Sequence, residues 1–204
     1  MSGVRSRSSR DKRSEGNTAA HMLRSRDGFE EGEVETKGMI FMSKDFIKEL
    51  DEAESFADIF ELVKHAVWKT VEEGRAGLEL GLMELGMHRD GFVGGFYPVG
   101  SNIIVMNKTP LKTILENDEG MFKPYVFHIL LHEYLHSLGY FDEETTKKLT
   151  YLISREMLGS THIATRMSLG YIPKLLYPSR NWKLPDTEME LVPDFDRSSR
   201  TYIE

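Results

Sequence analysis

The chain has no cysteine. That absence excludes a disulfide framework, a thiolate nucleophile and every Cys-type zinc site, so any zinc must be held by histidine and carboxylate. No run of about eighteen apolar residues occurs, so no membrane partner is expected. The N-terminus is basic but lacks the apolar stretch of a secretory signal. Together with the missing cysteine, this sets a cytoplasmic expectation. Walker and dinucleotide fingerprints are also lacking, and Gly94-Gly95 is too short for a phosphate loop.

What is present is unevenly distributed. The net charge of −7 makes nucleic acid an unlikely partner. Residues 1–26 nevertheless carry seven cations against Asp11 and Glu15, which leaves −12 for the remainder. Residues 1–38 are rich in Ser, Gly, Arg and acid with hardly an apolar side chain, the composition of a disordered arm. Folding is expected to begin near Met39, with a catalytic domain over 39–177. An extended, acidic, proline-containing tail is expected over 178–204, where it could cover the cleft.

Apolar residues at three- and four-residue steps, from Phe46 through Phe60 to Val71, predict helix over 46–74, with Ser55 capping its second part. The same spacing through Leu78, Leu82 and Leu85 extends the helical expectation to Gly86. From Gly91 the period changes. A turn-rich hairpin leads to a β-branched strand at Asn102–Asn107. A short helix is expected at Leu111–Glu116, a second over Lys123–Leu138 with Pro124 in its first turn, and a third over Glu143–Leu158 with Asp142 as its N-cap.

The helix over 123–138 contains His132-Glu133-Tyr134-Leu135-His136. Residues four apart lie on one helical face, so two imidazoles aim at one point, the bite that a tetrahedral zinc requires. Glu133 is rotated about 100° from them and stands beside that point, where it can take a proton from water. In a chain with 7 histidines among 204 residues, this pattern arises by chance roughly 0.025 times. Gly139 and Asp142, three and six residues past the second histidine, make coincidence rarer still.

The stretch from His132 to Asp142 resembles the zincin metallopeptidases, in particular the metzincin-like branch with an Asp as the last ligand, as in snapalysin-type enzymes. The resemblance covers about eleven residues and the order of elements. It implies a zincin-like α+β fold: a small twisted sheet with an edge strand, packed on a backing helix and on the active-site helix. It implies Zn2+ as cofactor, His132, His136 and Asp142 as metal ligands, Glu133 as general base, and a peptide or protein substrate held along Asn102–Asn107. Asp142 can serve as ligand, as N-cap, or as both. Glu156 is its main competitor, because glutamate zincins take the third ligand from the following helix; His162 is another. Met157 and Met167 are candidates for the methionine turn, and Tyr140, Tyr171 and His162 for an oxyanion donor. His128, a further turn back, reads as a core or supporting residue. Two other functions stay open: a zinc hydrolase acting on RNA, and a binding module that zinc only braces.

Overall fold

The computed structural model describes residues 44–87, 91–176 and 186–198. These all belong to the unit Glu33–Glu204. The expected arm over 1–38 therefore lies outside the described residues. The described chain is mixed α/β, with a small open sheet of four strands and six helices. In order these are α1 (44–52), α2 (Phe56–Val71), β1 (Glu79–Glu84), β2 (Gly95–Phe96), β3 (Ile103–Asn107), α3 (Lys108–Asn117), α4 (Phe122–Ser137), α5 (Glu143–Leu158), α6 (Ile163–Ser168) and β4 (Asp186–Val192). No helix among the described residues is long and apolar enough to cross a membrane.

The sheet order is β2-β3-β1-β4, with β1 parallel to β3 and both outer pairs antiparallel. Leu80 pairs with Ile104, and Leu82 with Met106. Period-2 alternation puts these four on one face, where Leu80, Ile104 and Met106 are fully buried. That face looks onto α4: Gly95, the partner of Met106 across β2, is backed by Ile129 and Glu133. α4 is buried around nearly its whole circumference, through Tyr125, Val126, Phe127, Leu130, Leu131, Tyr134 and Leu135. A helix apolar on all sides is a central helix. It touches β2 and β3 on one side and α2, α5 and α6 on the others.

Three expectations change here. The helix expected through Gly86 stops at Val71, where Glu72 takes a left-handed φ of 58° and closes the end. Gly74, Gly77 and Gly81 each weaken a helix by about 1 kcal/mol, and residues 79–84 pair instead as β1. Gly81 fits there because Met189 of β4 fills the space a Cβ would take. Second, the strand Ile103–Asn107 is internal, and the sheet's free edge near α4 is β2. Third, the expected tail over 178–204 contains β4, which pairs with β1. Behind it Phe195 is 2% exposed and stacks on Phe60 with ring centroids 4.2 Å apart, worth about 2–3 kcal/mol in apolar burial. Asp196 accepts from Lys64 Nζ at 2.8 Å and from the Leu78 N–H at 3.1 Å. β4 borders the sheet on the side opposite β2.

Candidate metal centre

α4 delivers the two histidines. Their Nε2 atoms stand 3.1 Å apart, and the rings meet edge to face at 4.7 Å. Two nitrogens bound to a tetrahedral ion at 2.0–2.1 Å are about 3.3–3.4 Å apart, so the pair is already set to that bite. The orientation of His136 is fixed from behind. Its Nδ1 lies 2.8 Å from the Tyr140 carbonyl oxygen, and a carbonyl only accepts, so Nδ1 carries the proton. The Nε2 lone pair then faces the centre, the usual support for a metal-binding imidazole.

The third member is Glu143. Gly139, at φ 103°, turns the chain sharply after α4, and the Tyr140 carbonyl is anchored a second time by the Thr146 hydroxyl at 2.6 Å. The chain thus returns with the first residue of α5 beside the histidines. Glu143 Oε1 is 3.2 Å from His136 Nε2, and Oε2 is 3.6 Å from His132 Nε2. The ligand atoms of His132, His136 and Glu143 all lie within 4.8 Å of one another, a group that could hold a metal ion. The Nε2–Nε2 spacing and the Oε1 contact to His136 are near the edge of a tetrahedron around zinc, about 3.3–3.4 Å.

Asp142, the expected third ligand, is outside this group. Its Oδ2 accepts from the Thr145 N–H at 2.8 Å as the N-cap of α5, and hydrogen bonds from Thr145 hold its carboxyl below the usual range. The cap and the carboxylate nearest the histidines are neighbouring residues. A cap must bend its carboxylate back over its own helix, which leaves the next side chain to reach the histidines. His162 caps α6, its Nδ1 accepting from the Ala164 N–H at 3.3 Å, and neither it nor Glu156 belongs to the group. His128 is half-buried, with Nδ1 3.3 Å from Ser168 Oγ; desolvation, then the His132 charge, press its pKa down to about 4. It supports the helix packing as expected.

Glu133 is 6% exposed. Burial first, and the Glu143 charge second, push its pKa up to about 7, against a backbone hydrogen bond from Tyr97. Burial chiefly, and then the His136 charge, press His132 down to about 4, so its imidazole is neutral near pH 7. β2 can approach Glu133 this closely because of glycine. A Cβ on Gly95 would sit 2.7 Å from Ile129 Cγ2 and 2.9 Å from the Val105 carbonyl, and one on Gly94 would sit 2.6 Å from Ile129 Cδ1.

The expected oxyanion donors make other contacts, His162 as the cap of α6. The Tyr140 hydroxyl donates to Glu73 at 2.9 Å, and burial and that carboxylate keep it protonated far above the usual phenol range. The Tyr171 ring lies under the Arg166 guanidinium at 4.3 Å. Met157 and Met167 are buried core residues of α5 and α6.

Glu143 was missed because the motif reading counted six residues past His136, and the acid lies seven past. The signal was available: an acid directly after a helix N-cap points back along the turn that the N-cap closes. Tyr97 and Arg75 carried no sequence signal. No family model matches the chain, and neither a curated protein nor a solved structure matches it.

Proposed function

We propose that this chain is a zinc-dependent peptidase in which His132, His136 and Glu143 hold the ion and Glu133 is the general base. The observation that carries the reading is the convergence of two Nε2 atoms and one carboxylate within 4.8 Å of one another, with a second, buried carboxylate next to them in sequence and against Gly95 of β2. A third ligand from the helix after the motif is the arrangement of glutamate zincins, here at a much shorter spacing than Glu156 offered. The likeness to zincins then rests on the motif, the turn at Gly139 and the antiparallel edge strand beside the motif helix.

Zinc bound there supplies Lewis acidity and brings the pKa of its water to about 7. The residues of the chain do the rest. Glu133 takes a proton from the attacking water and passes it to the leaving amine. The Tyr140 carbonyl holds the His136 tautomer, and Gly139 keeps Glu143 within reach. A peptide substrate is favoured by β2. The Asn107 N–H donates to the Gly94 carbonyl at 2.9 Å, and in that register the N–H and C=O of Gly95 point away from β3. An extended peptide can add there as a further strand, beside Glu133.

The test is Glu133→Gln in full-length, zinc-replete protein. Bound zinc should stay at one per chain while peptide turnover falls by about 10²–10⁴, the usual contribution of a general base. Loss of zinc together with the fold would support a bracing metal instead. Wild-type cleavage of RNA but of no peptide would support the RNA reading.

A further inference from the structure

Arg75 is held at both ends. Its N–H donates to the Tyr134 hydroxyl oxygen at 2.7 Å, and that hydroxyl donates back to the Arg75 carbonyl at 3.1 Å. Its main chain is therefore pinned to the last turn of α4, through the residue after Glu133. Its guanidinium reaches three further places. Nη1 donates to Tyr97 Oη at 2.7 Å and to the Ser137 carbonyl at 3.0 Å, and Nη2 donates to the Ser101 carbonyl at 2.7 Å. The Tyr97 hydroxyl donates to the same Ser101 carbonyl at 2.7 Å. One planar group thus joins the last turn of α4 to both ends of the turn between β2 and β3.

That turn carries the backbone N–H of Tyr97, which bonds to the Glu133 carboxyl. The start of the hairpin is tied to β3 by the bonds from Asn107 to the Gly94 and Val93 carbonyls, but β2 itself contains only Gly95 and Phe96, and the link from the turn to the end of α4 runs through Arg75. We propose that Arg75 is a positioning residue: it acts through Tyr97 to hold the hairpin against α4, and so sets where the Glu133 carboxylate and the Gly95 edge stand relative to each other. The proposal rests on the reading of Glu133 as general base. A base or substrate edge displaced by about 1 Å can cost on the order of 100-fold in rate. The arrangement needs arginine specifically. A fixed fork spans acceptors on two sides in one plane, while a lysine ammonium has one nitrogen and cannot bridge Tyr97, Ser137 and Ser101 together. The guanidinium also places positive charge at the carboxyl end of α4, where the helix dipole favours it.

The experiment compares full-length, zinc-loaded wild type with Arg75→Lys and Tyr97→Phe. Three quantities are measured: kcat and KM on a peptide substrate, zinc per chain, and amide hydrogen exchange of the 92–101 segment. Arg75→Lys should keep one zinc, leave KM within about threefold, and lower kcat by about 10- to 100-fold. Exchange over 92–101 should quicken while that of α2 and β1 is unchanged. Tyr97→Phe keeps the bonds to Ser137 and Ser101, so it should fall between the two and remains informative if Arg75→Lys does not fold. Unchanged kcat with unchanged exchange in both variants overturns the proposal. So does a loss that appears only in KM or in zinc content. If wild type shows no turnover that depends on Glu133, the peptidase reading has failed, and the exchange data alone decide whether Arg75 holds the hairpin.

Discussion

Replacing Asp142 and Glu143 one at a time separates the N-cap of α5 from the proposed metal ligand beside it. Glu143 brings its two oxygens to 3.2 and 3.6 Å from the histidine Nε2 atoms, near the edge of about 3.3–3.4 Å required around zinc. Asp142 turns its carboxylate onto the Thr145 N–H at 2.8 Å. Removing a group that only supports a metal ligand typically weakens binding by about 10- to 100-fold, so removing one of three ligands should exceed roughly 100-fold. Glu143→Ala should therefore lose at least that much zinc affinity in a chelator competition near neutral pH. Its metal-free melting temperature should hardly move, because the side chain is 62% exposed. Asp142→Ala should do the reverse. Zinc affinity stays within about threefold, while the metal-free protein melts about 2–4 °C lower, the consequence of a lost N-cap in a chain of this size. Zinc released by Asp142→Ala and retained by Glu143→Ala would refute the assignment.

Other consequences follow from the same geometry. Tyr140→Phe should leave kcat within about threefold, because its hydroxyl is committed to Glu73; an oxyanion donor would cost about 100- to 1000-fold when removed. Gly95→Ala should lower stability by about 1–3 kcal/mol in a denaturant melt and reduce turnover, because the new methyl meets Ile129 and the Val105 carbonyl. Asp196 predicts an acid sensitivity. Burial raises its pKa, but the bonds from Lys64 and from the Leu78 and Ser198 amides outweigh it and hold the pKa below its ordinary 3.8. A carboxyl with a lowered folded-state pKa adds stability above its unfolded value, and that stability is lost as pH falls through the folded value. Asp196→Asn should cost roughly 1.5–3 kcal/mol near neutral pH, the range for hydrogen bonds to a charged group. The deficit should shrink as pH is lowered through the acid range, and a deficit independent of pH would contradict the argument.

Local signals were legible where a side chain answers to its own neighbours. Ser55 and Asp142 read as caps because a short oxygen side chain ahead of an apolar periodic run has few other uses, and both cap. His132 and His136 were legible because helical geometry alone sets their separation. Gly139 was legible as a stop because a tight turn after a helix favours a residue with no Cβ. Non-local choices were not legible. Leu78, Leu82 and Leu85 fit a helical step while Leu78, Leu80 and Leu82 fit a strand alternation, and only pairing with Ile103–Asn107 and with β4 decides in favour of strand. The acidic composition of 186–192 hid an edge strand, since a strand at a sheet border can leave Glu188 and Glu190 exposed. Arg75 gave no signal at all, because its acceptors lie 22, 26 and 62 residues away.

The most direct test is X-ray absorption at the zinc edge on stoichiometrically loaded, full-length protein, compared with His136→Ala. The account predicts one zinc per chain with imidazole scattering from two nitrogens at about 2.0–2.1 Å and carboxylate or water oxygens at about 2.0–2.2 Å, with the imidazole contribution reduced in the variant. Protein that retains no stoichiometric zinc, or a bound zinc with no imidazole in its shell, would contradict it.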